Sequence, residues 1–225
     1  MKKLLLSTTA VALVAVAAAP AAHAQSVRFG LKAGANLSNL SGDLTNQDQY
    51  KNRFGFHGGA TVNLGLVADD FLAIQVEGLY SQKGFKYADQ QFTVGGNNFR
   101  NTGNIRYDYI DVPVLVRLKT GGVFFEAGPQ YSYLLSISNN RTFTQNGSVV
   151  ASSSSGTSNL DRVKRSELGY AAGLGFQAES GFLVGLRYNG AFTDFAKDGY
   201  SNNEFRNARN STFQAYVGFM LGGKL

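Results

Sequence analysis

In eight segments of this chain, charged residues keep to one parity. Val27, Phe29, Leu31, Ala33, Ala35 and Leu37 alternate with Arg28, Gly30, Lys32, Gly34 and Asn36. The same period of two recurs through Phe54–Leu66, Leu72–Tyr80, Ile110–Leu118, Val123–Ile137, Leu168–Ala178, Phe182–Phe192 and Phe213–Leu221. Arg28, Lys32, Glu77, Lys83, Asp111, Arg117, Glu126, Glu179 and Arg187 all fall on the polar side. The apolar side carries no charge until Arg106 and Asp108, at the far end of the fourth segment. Period-two alternation is the signature of a β-strand with two unlike faces. A globular sheet tolerates mixing on its wet face, and its strands average about five or six residues. Here the aromatic, uncharged face runs for about ten residues per segment, which suits a tilted strand crossing a membrane. A charge on a lipid-facing position costs about 2–4 kcal/mol at the midplane, so the uncharged face points outward and the charged one inward.

The connections follow the same plan. Val67-Ala68-Asp69-Asp70, Thr120-Gly121-Gly122 and Ser180-Gly181 are short, whereas Ser38–Arg53, Gly84–Asn104, Ser138–Arg165 and Thr193–Asn210 are long. Short turns at one end and long loops at the other describe a transmembrane barrel. An even number of strands returns both termini to the short-turn side, and closure removes the unpaired edges that lipid cannot hydrate. The predicted fold is therefore an all-β, eight-stranded antiparallel up-and-down transmembrane β-barrel. Tyr80, Tyr107, Tyr109, Tyr131, Tyr133, Tyr170 and Tyr188 map toward the long-loop end, and Phe71, Phe125, Phe182 and Phe219 toward the short-turn end. Two such groups read as interfacial aromatic belts. Pro113 and Pro129 cut across the scheme, since each removes a ladder donor, and they are expected at bulges.

Residues 1–24 have a different character. Lys2 and Lys3 precede an apolar run from Leu4 to Ala19, and Ala22-His23-Ala24 has the form of a cleavage site. This predicts a secretory signal peptide over 1–24 and a barrel domain over 25–225. Losing Lys2 and Lys3 lowers the formal net charge from +6 to +4. The remaining basic residues form no stripe, which argues against a nucleic-acid partner. With no cysteine in the chain, thiol chemistry, disulfides and cysteine metal sites are excluded.

Several stretches carry a resemblance. These are Arg28–Ser38, Gly55–Gly59, Glu77–Gly84, Tyr109–Leu115, Phe125–Pro129 and Gly185–Tyr188. Together they span most of the chain after residue 24, including both prolines. In them the chain resembles the PorT-like outer-membrane β-barrel family of Bacteroidetes, loosely called a porin family. The resemblance implies an eight-stranded barrel and little chemistry. Gly222-Gly223-Lys224 departs from the aromatic ending usual in such chains, although Leu225 keeps apolar parity with Leu221.

Three places are candidates for function. The first is an interior polar cluster of Glu77, Lys83, Asp111, Arg117, Glu126 and Arg187, with Gln75 and Gln130. An eight-stranded barrel is only wide enough to be filled by side chains or to hold one small ligand. The cluster therefore reads as an ion-pair plug, with a gated solute path as the second reading. Glu126 and Arg117, on neighbouring strands, are expected to pair. The second is His57, inward by parity near Ser81, the single candidate for a lipid-modifying chemistry; no base–nucleophile–orienter set accompanies it. The third is the loop basic cluster Arg162, Lys164 and Arg165, suited to phosphate groups of lipopolysaccharide. The expectation is a monomeric, non-enzymatic outer-membrane protein with a structural or surface-interaction role, needing neither cofactor nor metal. Its partners would be outer-membrane lipid, lipopolysaccharide and the barrel assembly machinery, with loops extracellular and termini periplasmic.

Overall fold

The computed structural model describes residues 26–42, 47–67, 70–156, 163–194 and 208–222. The predicted signal peptide over 1–24 and the last residues, Gly223-Lys224-Leu225, lie outside them. Ten strands follow in chain order: β1 (Ser26–Ser41), β2 (Tyr50–Gly65), β3 (Leu72–Tyr87), β4 (Gln90–Val94), β5 (Asn97–Thr120), β6 (Val123–Gln145), β7 (Ser148–Gly156), β8 (Ser166–Gln177), β9 (Phe182–Ala191) and β10 (Arg209–Leu221). Eight of them close an antiparallel ring. Its order is β1-β2-β3-β5-β6-β8-β9-β10, sealed by β10 pairing back to β1.

The ring is inside-out relative to a water-soluble protein. Phe29, Leu31, Phe54, Phe56, Phe125, Leu174, Leu186, Phe213 and Leu221 are exposed on its outer face. Lys32, His57, Glu77, Lys83, Asp111, Arg117, Glu126 and Arg187 are buried inside it. Arg28 is half-buried beside Asp70, and Glu179 is exposed in the turn after β8. At the turn end, Gly121 and Gly122 have φ of 55° and 99°, a conformation that glycine adopts without strain.

β4 and β7 lie where the sequence predicts long loops. β5 and β6 have 24 and 23 residues, about twice what a tilted crossing needs, so both continue well past the ring. There β4 pairs with β5 and β7 with β6, making a four-stranded tower in the order β4-β5-β6-β7. Much of Gly84–Asn104 and Ser138–Arg165 is thus regular sheet, where the sequence reading expects long loops. The physical reason is that neither face of the tower meets lipid, so the parity rule has nothing to act on. Turn chemistry carried the signal instead: Gly95-Gly96 (φ 57° and 77°) and Asn146-Gly147 (φ 50° and 84°) are two-residue hairpin turns. Phe92, Phe99 and Phe143 stack across β4, β5 and β6 at ring separations of 5.3 and 5.6 Å.

The bulges lie elsewhere than at the prolines. Pairing of β5 with β6 keeps one register from Pro113↔Gln130 to Val116↔Ala127, and pairing of β3 with β5 does so from Leu79↔Asp111 to Val76↔Val114. The ladder skips beside each proline and resumes unshifted. A real shift falls between Asp108↔Ser136 and Tyr109↔Leu134, leaving Leu135 as the extra residue on β6. An extra residue inverts parity beyond it. Ile137, expected outside, is therefore buried inside opposite Tyr107. Tyr107 and Tyr109 are also buried rather than part of the belt. Tyr80, Tyr170 and Tyr188 do stand on the outer face, packed against Phe56, Phe192 and Phe213.

Candidate functional site

Inward side chains from every strand of the ring meet in its lumen, in three layers. At the turn end, Phe124, Leu183, Tyr216 and Met220 form an apolar cluster. Glycine makes room for it: a Cβ on Gly185 would lie 2.4 Å from the Tyr216 ring, and one on Gly175 would lie 2.4 Å from the Phe124 ring. At the opposite end, Leu40, Tyr50, Phe85, Tyr107, Tyr109, Leu134, Ile137, Val163 and Ala208 form a second cluster.

Between the two clusters lie the charges. Arg187 on β9 donates to both oxygens of Glu77 at 2.7 and 2.8 Å, and its Nε donates to Glu126 at 2.7 Å. Lys32 on β1 donates to Glu77 at 2.8 Å and lies 3.6 Å over the Tyr216 ring. Tyr216 donates to Glu126 at 2.7 Å. One layer away, Lys83 on β3 pairs with Asp111 at 2.9 Å and Glu167 at 3.6 Å. Asn210 donates to Glu167 and to the Tyr109 hydroxyl. Lys32, Lys83, Arg117 and Arg187 thus equal Glu77, Asp111, Glu126 and Glu167 in number, all buried. Buried charge is tolerable when it is paired or hydrogen-bonded, and every member of this set except Arg117 makes an ion pair.

The six predicted cluster residues therefore share one lumen but not one contact network. Glu77, Glu126 and Arg187 meet directly, and Lys83 with Asp111 forms a separate group. The expected pair of Glu126 and Arg117 does not form. The two stand opposite each other across β5 and β6, yet Arg117 turns away. It donates to Gln75 at 3.1 Å and Gln177 at 2.8 Å, and it lies 3.8 Å over the Phe124 ring. Arg187 takes Glu126 instead, because its fork can span two carboxylates at once. Lys32, Glu167 and Tyr216 complete the networks although sequence reasoning left them out of the cluster. Their inward parity is the signal the sequence carries, and Glu167 lies one residue before Leu168, where the apolar alternation of its segment starts.

His57 belongs to a separate hydrogen-bonded group centred on Asn36. Its Nδ1 is 2.6 Å from the Asn36 amide oxygen, which also accepts from Gln214 at 3.0 Å. The Asn36 amide nitrogen donates to Ser81 at 3.0 Å and to the Gln82 carbonyl at 2.9 Å. Ser81 is thus His57's cross-strand neighbour, with Asn36 bridging the two. Both side chains are buried.

The predicted loop cluster is divided. Arg162 lies outside the described residues. Arg165 donates to the Leu134 carbonyl at 3.2 Å and covers the Tyr133 ring at 4.8 Å, while Lys164 is half-buried. The charges on the outer face are settled locally: Asp108 accepts from Tyr80 at 2.9 Å and from Ser136 at 2.7 Å, beside Arg106 at 3.2 Å.

A closed antiparallel ring with an apolar exterior and a buried charged interior defines an outer-membrane β-barrel. The chain belongs to the outer membrane protein beta-barrel domain family, which its residues 23–197 match, and this makes it a protein of the bacterial outer membrane. Among solved structures it is similar in fold to Ail of Yersinia pestis in complex with the heparin analogue sucrose octasulfate (15% identity over 87% of this chain and 99% of that one, TM-score 0.44). It is also similar to OprG from Pseudomonas aeruginosa (10% identity, 89% and 98%, TM-score 0.40) and to the outer membrane protease OmpT from Escherichia coli (9% identity, 88% and 97%, TM-score 0.37). No curated protein matches the chain.

Proposed function

We propose that this protein is a filled, non-enzymatic outer-membrane barrel whose role is structural or lies in surface interaction. The observation that carries the reading is the balance of four buried bases and four buried acids between two apolar clusters, with Arg187 locked to two carboxylates. A solute path would have to break Arg187 from two carboxylates and part an apolar layer at each end. Reconstituted into planar bilayers, the full barrel is expected to give no steady conductance. Sustained ohmic conductance would replace this reading with that of a narrow porin, the second possibility. A lipid-modifying activity is a weaker third reading, because His57 faces Asn36 inside the lumen.

The tower then belongs on the cell exterior and the short turns in the periplasm, with residues 1–24 removed as a signal peptide. Within the family, the stretches around Pro113 and Pro129 favour the PorT-like branch. The closed ring, which offers no free edge in the lipid zone, supports a monomer, with the barrel assembly machinery as its partner in insertion. The lack of cysteine gives a clean test of orientation. Thr93→Cys, in exposed β4, is expected to react with a membrane-impermeant maleimide on intact cells. Protection of Thr93→Cys until the outer membrane is breached would invert the orientation.

A further inference from the structure

One row of residues crosses five strands at the foot of the tower. Lys51 on β2 is paired with Lys86 on β3, Lys86 with Asn104 on β5, Asn104 with Asn140 on β6, and Asn140 with Ser154 on β7. Two lysines directly opposite each other in a sheet repel and destabilise it. Both are exposed, and among the described residues neither makes an ion pair. A third cation converges there: Arg53 donates through Nε to Asn104 at 2.9 Å, while its buried Nη1 has no partner. Asp89, which lines the same cleft as the two lysines, is taken by Arg100. Lys51, Lys86, Asn104 and Asn140 line a cleft of about 810 Å³, which continues past Arg100 and Thr102 into a second of about 830 Å³ on the same tower.

The position of the row points to the ligand. Tyr50 and Tyr87, the neighbours of Lys51 and Lys86, pack on the inner cluster, so the two lysines face outward over the membrane. Lys86 lies six residues beyond Tyr80 and Lys51 three beyond Phe54, the last outward aromatics of β3 and β2. At roughly 3.3 Å per residue and a tilt of about 40°, that is about 8–15 Å above the apolar band. Acyl chains end below this level. Phosphates and sugar hydroxyls of a large lipid headgroup reach it. Paired lysines suit a phosphate, and the Asn and Ser side chains beside them suit hydroxyls. We infer that the Lys51–Lys86 row is a binding site for the phosphorylated saccharide headgroup of an outer-leaflet glycolipid. This rests on the orientation proposed above, which the Thr93→Cys labelling tests separately.

The test uses the full barrel in phosphatidylcholine nanodiscs carrying a fluorescent, short-chain phosphorylated lipopolysaccharide, with retention on the barrel as the readout. Wild type should retain it, and K51E/K86E should weaken retention by about tenfold or more, two charge-assisted contacts being lost. K51M/K86M should lose a smaller part, and heat-modifiable migration reports folding for each variant. Arg209→Glu, exposed at the same end on β10, should leave retention unchanged. Equal loss in Arg209→Glu would reduce the site to a diffuse positive field and overturn the assignment. Retention of a dephosphorylated glycolipid at wild-type strength would overturn the phosphate role. Equal affinity for the free, lipid-less phosphorylated oligosaccharide would overturn the assignment to a membrane-borne ligand.

Discussion

Arg187→Met is expected to destabilise the folded barrel by about 3–5 kcal/mol, the cost typical of breaking a buried ion pair from one side. Arg187 and both of its carboxylate partners are essentially inaccessible, at 0–1% side-chain exposure. The two acids are not left equally exposed to the loss. Glu77 keeps Lys32 at 2.8 Å. Glu126 keeps only neutral partners, the Tyr216 hydroxyl at 2.7 Å and the Gln75 amide at 3.4 Å. A second substitution should therefore discriminate between them. R187M/E126Q should recover most of the lost stability, since it removes the orphaned charge, whereas R187M/E77Q should recover little and leave Lys32 unpaired. Urea titration of folding into lipid vesicles, followed by heat-modifiable migration, measures all three. Equal rescue by both second substitutions would mean that net interior charge matters and the individual contacts do not.

The neighbouring position gives the second large effect, with the opposite logic. Leu186→Arg should cost about 2–4 kcal/mol in lipid vesicles, the penalty for an arginine on the lipid face near the midplane. Leu186 is 60% exposed, midway along β9, between Ala215 of β10 and Leu174 of β8. In a water-soluble sheet that exposure would make the substitution harmless. Ser152→Arg, exposed on β7 of the tower, should stay within about 0.5 kcal/mol, as surface changes usually do. The same urea titration separates the two. One residue thus divides a position where arginine is required from one where it is excluded, and lipid on the outer face is the reason.

That contrast was legible before any coordinates. Lys32, Glu77, Asp111 and Arg187 sit inside because each alternates with a neighbour that must face lipid, and alternation is a local property of the chain. Partner choice was less legible. Arg117 and Glu126 are direct cross-strand neighbours, and nearest-neighbour reasoning pairs them. In a narrow closed ring, however, a side chain reaches across the lumen as readily as to the next strand. Arg187 on β9 meets Glu77 on β3, 110 positions away in sequence. The β6 bulge at Leu135 was equally hidden, since nothing in the alternation Tyr131, Tyr133, Leu135, Ile137 marks the position where parity inverts. The tower was missed for a different reason: Asn146-Gly147 and Gly95-Gly96 announce hairpins, but strands wet on both faces show no hydrophobic period.

By itself, then, the sequence determined the ring of alternating strands, which face meets lipid and which residues are enclosed, because a membrane imposes its demand one residue at a time. Only the tertiary structure decided which enclosed charges pair, where parity breaks, and that Lys51 and Lys86 face each other unrelieved at the foot of a tower. Those depend on register and on closure, which bring distant strands to within one side-chain length of each other.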